Sequence, residues 1–106
     1  MSNVKVIEKN EGKKIEFEQQ GTKLYFGDDE LMLNAAKYQK EWPVSVDICR
    51  DKSGNLTIGA ENGIKYVAQV DIPEIEYEEV EKDEEKILEP IPLDMAEVTV
   101  TLWSIE

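Results

Sequence analysis

The chain has 106 residues, enough for one hydrophobic core and therefore for a single domain over residues 1–106, and a formal net charge of −12 at pH 7. That charge disfavours direct contact with nucleic acid or with an anionic membrane. With no histidine and one cysteine, the chain lacks imidazole-assisted nucleophiles and the usual zinc sites, so we expect neither an enzyme nor a metal or cofactor.

The sequence also indicates a compartment. No apolar run approaches the roughly 18–20 residues of a membrane-spanning helix, and the N-terminus lacks the pattern of a signal peptide. A single cysteine, Cys49, cannot form an intramolecular disulfide, which fits a reducing environment. We therefore predict a cytoplasmic protein without membrane contact.

The first 26 residues predict three short strands. Residues 4–7 are mainly apolar, and residues 14–18 alternate between polar and apolar side chains as a half-buried strand does. A turn at 10–12 separates these strands, and a third strand follows at 23–26.

A helix is predicted at about 29–41. Asp28 can cap its first backbone N–H groups, and Pro43 ends the segment. Hydrophobic residues recur at the spacing of one helical face, at Leu31, Ala35, Tyr38 and Trp42. The alternative is a further strand at 31–33, paired with the preceding strand across a turn at 27–29.

Residues 44–72 predict a three-stranded antiparallel meander. Apolar and polar residues alternate at 44–48, 56–58 and 64–72. Turn-forming residues separate these strands at 51–55 and at 61–63, where Asn-Gly favours a two-residue turn.

Two features of this region have a chemical and a structural interpretation. Cys49 next to Arg50 could be a reactive thiol, but adjacent strand residues point to opposite faces, so we interpret it as structural. Residues 51–55 space oxygen-bearing side chains as calcium loops do, but the segment lacks the glycine at the sixth position and the distal bidentate glutamate of such loops. We interpret them as a hairpin turn.

The negative charge is concentrated in the second half of the chain. Residues 61–106 carry three basic and fourteen acidic side chains, and residues 71–89 alone carry two basic and ten acidic ones. We predict an acidic connection at about 74–89, which either extends the preceding strand or is flexible, with a solvated tip at 81–85. Its candidate partner-binding residues are Glu74, Glu76, Glu78, Glu79, Glu81, Asp83, Glu84 and Glu85. The alternative is that these carboxylates only keep the protein soluble.

The last strand is predicted at 97–103 and is expected to pair with the strand at 64–72. Its apolar residues Val98, Val100 and Leu102 share one face. Trp103 falls on the opposite face, where it is either an anchor for a protein partner or part of a core that the helix or a small barrel covers.

Three segments of the second half resemble small proteins of bacterial phages and mobile elements. They are residues 66–73, residues 92–95 after the acidic spacer and residues 98–103. The resemblance covers about the last 40 residues and includes no catalytic motif. It implies a phage-encoded accessory protein and no particular activity.

These patterns predict an α+β fold, in which the helix at about 29–41 packs on an antiparallel sheet or small partly closed barrel of six or seven strands. For function they favour a non-enzymatic interaction module that binds a protein with a basic surface, such as an inhibitor of a host protein. Two alternatives remain open, namely a self-assembling structural subunit that forms a homo-oligomer, and a small-ligand-binding domain or an enzyme that uses carboxylates alone.

Overall fold

The computed structural model describes residues 3–28, 30–59 and 65–105, which form ten strands, one single-turn α-helix and one 3₁₀ turn. The strands are β1 (Lys5–Glu8), β2 (Phe17–Gln20), β3 (Lys23–Phe26), β4 (Leu31–Asn34), β5 (Val44–Arg50), β6 (Leu56–Ile58), β7 (Lys65–Ile72), β8 (Tyr77–Lys82), β9 (Glu85–Pro90) and β10 (Thr99–Leu102). The helix is α1 (Ala35–Tyr38), and the 3₁₀ turn is Met95–Glu97. Neither helical segment of this described part has the length and apolarity needed to span a membrane.

The strands form three separate sheets. One has the order β1-β10-β7-β5-β6, a second has the order β2-β3-β4, and β8 pairs with β9 alone. Neighbouring strands are antiparallel except β1 and β10, which run parallel. The prediction of a mostly β, antiparallel architecture is confirmed. The described strands exceed the six or seven predicted, however, and none of their sheets closes into a barrel.

One hydrophobic core joins the five-stranded and the three-stranded sheets. Most of the side chains that point into it alternate along the central strands, because successive residues of a strand face opposite sides. The alternation is broken by a register shift between Ile48 and Cys49 of β5, and the adjacent Val67 and Ala68 of β7 are both buried. The fully buried members include Ile48, Val70 and Val100 from the larger sheet and Leu24, Phe26 and Leu33 from the smaller one. The other face of the larger sheet is polar, with Ser45, Asp47, Gln69, Asp71, Thr99 and Thr101.

The helix predicted at about 29–41 is wrong, and the alternative of a strand at 31–33 is confirmed. These residues lie in β4, which pairs with β3, and only the four residues of α1 are helical. The physical reason is burial. As a strand, the segment places Leu33 in the core with 1% of its surface exposed, whereas Trp42 of the predicted helical face is 60% exposed.

The strands predicted at 44–48 and 56–58 are confirmed, as is the described part of the one at 64–72, but they do not form a meander. β5 lies between the other two, because β7 pairs with the edge of β5 that β6 leaves open. As predicted, β10 pairs with β7 in antiparallel orientation. The turn predicted at 61–63 lies outside the described residues.

The second predicted strand starts later than expected. β1 and β3 match their predictions within one residue, but β2 starts at Phe17 rather than at Lys14. The preceding residues contact the C-terminal segment instead, since Ile105 N–H donates to the Lys13 carbonyl at 2.8 Å and Lys14 forms an isolated bridge with Ser104. Pairing with a distant segment has overridden the local alternation.

The acidic connection contains the hairpin of β8 and β9, which projects from the rest of the protein. Its residues are exposed apart from the half-buried Val80 and Glu89. The projection explains a longest dimension of 58 Å and a radius of gyration of 16.2 Å, against about 13 Å for a compact chain of this size. The solvated tip corresponds to the turn at Asp83 and Glu84, and flexibility of the connection stays a prediction.

The turn of this hairpin contains Glu84, a residue type poorly suited to the left-handed conformation. Asp83 and Glu84 both have positive φ, at 50° and 66°, as in the type I′ turn that Asn-Gly favours. We expect Asp83→Asn with Glu84→Gly to stabilise the hairpin by about 1 kcal/mol, because asparagine and glycine adopt the left-handed conformation with less steric strain than glutamate. Slower hydrogen exchange at Val80 and Ile87, by about fivefold, would show it. Unchanged or faster exchange would contradict the assigned turn.

Candidate functional site

The predicted partner-binding carboxylates lie on or beside the projecting hairpin, whose residues 77–90 we call the acidic hairpin. In chain order they are Glu74 and Glu76 before β8, Glu78, Glu79 and Glu81 on β8, Asp83 and Glu84 in the turn, and Glu85 on β9. The acidic hairpin carries seven acidic and two basic side chains, a balance of −5. The fold therefore brings these charges onto one projecting element, where they reinforce one another's field.

Cross-strand pairing divides the acidic hairpin into two faces. One face carries Tyr77, Glu79 and Glu81 opposite Pro90, Leu88 and Lys86. On this face the apolar residues are far from buried, since Leu88 is 69% and Tyr77 42% exposed. On the other face Lys82 forms an ion pair with Glu89 at 2.5 Å. Exposed apolar side chains among charges are a combination that protein-binding surfaces use.

The base of the acidic hairpin is held by the segment that follows α1. Ile75 N–H donates to the Lys40 carbonyl at 2.8 Å, and the Gln39 side-chain amide donates to two carbonyl groups before β8 at 3.2 Å. The Tyr77 hydroxyl donates to the Glu41 carboxylate, and this hydrogen bond raises the pKa of Tyr77. The base is thus tied to the domain while the tip extends into solvent.

A cavity of about 150 Å³ lies beside this base. Its lining combines carboxylates with an aliphatic wall and includes Glu74, Glu76, Asp94, Glu97, Ile91 and Leu93. In the described parts of the chain, no group of acidic or cysteine side chains is arranged to hold a metal ion. The charge and the aliphatic wall match a lysine or arginine side chain, which pairs an apolar stem with a cationic head.

Trp103 lies away from the acidic hairpin. Its backbone N–H donates to the Val67 carbonyl at 3.2 Å, and about 17 Å of β7 separates Val67 from Ile72, where the connection to the hairpin begins. The half-buried indole lies 5.5 Å from the ring of Tyr66. The carboxylate of Asp47 raises the pKa of Tyr66, because it opposes a second negative charge. The structure does not join Trp103 to the carboxylates, and its role as an anchor stays a prediction.

The structural interpretations of Cys49 and of residues 51–55 agree with the geometry. Cys49 is 1% exposed, and burial together with the Asp47 carboxylate raises the pKa of its thiol, which keeps it protonated at neutral pH. The Asp51 carboxylate accepts hydrogen bonds from Ser53 N–H at 2.9 Å and Asn55 N–H at 3.0 Å. It therefore closes a hairpin turn between β5 and β6.

The sequence reasoning missed the pairing of β8 with β9 and the exposed Tyr77 and Leu88. A signal was present, since a two-residue turn places complementary side chains opposite one another. The pairs are Lys82 with Glu85, Glu81 with Lys86 and Val80 with Ile87. Two features weaken that signal: Glu78 lies opposite Glu89, and Asp-Glu is an unusual turn sequence.

Comparisons of the chain with protein-family models, with curated proteins and with solved structures find no significant match. The resemblance of residues 66–73, 92–95 and 98–103 to phage proteins therefore receives no support from them.

Proposed function

We propose that the chain is a non-enzymatic interaction module whose acidic hairpin binds a basic surface on another protein. The observation that carries the proposal is the projection of an element with a charge balance of −5 from a chain whose first 60 residues, with nine basic and ten acidic side chains, are nearly balanced. A projecting charged element accelerates encounter with an oppositely charged partner and disfavours partners of like charge.

Exposed apolar residues on the acidic hairpin supply a source of affinity besides charge. Leu88 and Tyr77 share the face that carries Glu79 and Glu81. Burial of a leucine side chain contributes about 1.5–3 kcal/mol, whereas a surface ion pair contributes at most about 1 kcal/mol. Carboxylates on this surface select the partner, and the apolar side chains stabilise the complex.

A phage or mobile-element setting gives this module a specific role, that of an accessory protein that inhibits a cytoplasmic host protein by covering its basic surface. Self-assembly into a homo-oligomer is the less favoured function, because it would have to overcome repulsion between copies that each carry a formal charge of −12. A small-ligand-binding role is favoured least, since the cavity beside the hairpin measures about 150 Å³, against roughly 300–1,000 Å³ for typical ligand sites.

Neutralising three carboxylates of β8 tests the proposal. We expect Glu78→Gln, Glu79→Gln and Glu81→Gln together to weaken the complex about tenfold, because each exposed charge contributes about 0.5 kcal/mol. The partner is captured from host lysate at low salt and identified. Its dissociation constant is then measured at several salt concentrations with the purified proteins.

The matched control removes the same number of charges from outside the hairpin. Glu8, Glu11 and Glu18 are exposed and lie on or near β1 and β2. Their joint replacement by glutamine should change the affinity by less than twofold. Equal losses in both triple variants, or an affinity that does not change with salt, would overturn the proposal.

A further inference from the structure

One edge of β8 presents backbone groups that point away from β9. Opposite residues of an antiparallel pair alternate between hydrogen-bonded and non-hydrogen-bonded pairs. Ile91 N–H donates to the Glu76 carbonyl at 2.7 Å, which marks a hydrogen-bonded pair one step before β8 begins. By this alternation the N–H and C=O groups of Tyr77, Glu79 and Glu81 point outward from the hairpin.

The outward N–H and C=O groups of β8 are available for pairing with another strand, whereas the outward row of β9 lacks one N–H group. In the described parts of the chain, no backbone hydrogen bond from outside the hairpin reaches Glu79 or Glu81. The outward positions of β9 are Lys86, Leu88 and Pro90, and proline has no N–H group to donate. β8 is therefore the better edge for the addition of a strand.

The charge of β8 decides which strand can be added. Two copies of β8 side by side would bring the carboxylates of Glu78, Glu79 and Glu81 close together, and like charges on adjacent strands destabilise a sheet. A strand with lysine or arginine at these positions would instead place opposite charges side by side. The edge thus opposes self-pairing and favours a basic strand.

A third strand would also stabilise the hairpin. A two-stranded hairpin is marginally stable in water at best, and this one buries none of its side chains fully. An added strand would satisfy the outward backbone groups and cover part of Tyr77 or Val80.

We propose that β8 is a docking edge that takes up an extended, lysine- or arginine-rich segment of a partner protein as a third strand. The inference rests on the proposed function and specifies how the acidic hairpin binds. Backbone hydrogen bonds to Glu79 and Glu81 hold the added strand. The carboxylates of β8 favour a strand that carries positive charge.

Two substitutions at Glu79 separate the contribution of backbone hydrogen bonds to binding from the contribution of charge. Glu79→Pro removes the charge and the outward N–H group, whereas Glu79→Gln removes the charge alone. Lys86→Pro is the matched control, because it removes an outward N–H group from the opposite edge. Hydrogen exchange at Val80 and Ile87 shows whether each variant keeps its hairpin. If Glu79→Pro unfolds the hairpin, Glu81→Pro replaces it in the test, because Glu81 also has an outward N–H group.

The probes are two seven-residue peptides of equal charge, one alternating lysine with valine and the other lysine with proline. Only the first can form a strand. We expect the full chain to bind the lysine-valine peptide at least tenfold more tightly than the lysine-proline peptide, as measured by fluorescence anisotropy. Hydrogen exchange at the backbone amides of Glu79 and Glu81 should be at least tenfold slower with the lysine-valine peptide bound than in the free chain. Glu79→Pro should make the affinities for the two peptides equal. Glu79→Gln and Lys86→Pro should each keep at least half of the affinity ratio between them.

The outcomes separate the two proposals. A preference that survives Glu79→Pro in an intact hairpin, or unchanged exchange at Glu79 and Glu81, overturns strand addition. If both peptides bind equally and salt weakens them, strand addition fails while the binding of basic surfaces stands. If neither peptide binds at low salt, strand addition fails, and capture of a partner from lysate decides the proposed function separately.

Discussion

Leu33→Ala is expected to lower the free energy of unfolding by about 2–5 kcal/mol, a large part of the roughly 5–15 kcal/mol that stabilises a domain. Leu33 is 1% exposed on β4, opposite Leu24 of β3, and its truncation leaves a cavity between the two sheets. Urea unfolding followed by circular dichroism measures the loss.

Trp42→Ala is the matched control for the same region. Trp42 is 60% exposed, so its truncation should change the free energy of unfolding by only about 0.5 kcal/mol. A helix at about 29–41 would reverse this order, since Trp42 would then share the apolar face and Leu33 would lie away from it. A larger loss for Trp42→Ala than for Leu33→Ala would contradict the strand.

Gly12→Ala is expected to destabilise the protein by about 2–3 kcal/mol. Gly12 has φ of +115°, where a side chain is strained by about 1–3 kcal/mol, and an added Cβ would lie 2.5 Å from Ser104 Oγ. This glycine therefore lets the turn after β1 approach the C-terminal segment. Thermal and urea unfolding measure the loss.

Two further variants separate backbone strain from the steric contact. Gly21→Ala meets no atom within 4 Å at φ of +61°, so it should cost only about 1 kcal/mol. Ser104→Ala combined with Gly12→Ala removes the closest atom and should recover part of the loss. If the double variant is no more stable than Gly12→Ala, the contact with Ser104 is not the cause.

Several strands were predicted close to their observed bounds, although the alternation at 14–18 misplaced the start of β2. β3, β5 and β10 recur close to their predicted bounds, because a period of two in a half-buried strand is a local pattern. The segment after residue 28 was ambiguous, since its apolar residues fit either a helix or a strand. Pairing with β3 and burial of Leu33 decided between them.

The candidate site was also predicted in part from the sequence and decided in part by the structure. The position and sign of the carboxylates at 74–85 are properties of composition, so the sequence located them. Their arrangement on the two strands of a projecting hairpin, with Leu88 exposed and Pro90 at one edge, depends on cross-strand register. Register arises from hydrogen bonds between residues that are distant along the chain, and local patterns specify it weakly on strands whose faces are both polar.

The sequence by itself determined that the chain is a small, mostly β protein without histidine and with a large negative charge in its second half. Only the tertiary structure decided that β5 lies between β6 and β7, that the turn at Gly12 lies against Ser104, and that the charge projects on a hairpin. Composition and period are local properties of the chain. Strand order and exposure follow from the burial of one shared core by segments far apart in sequence.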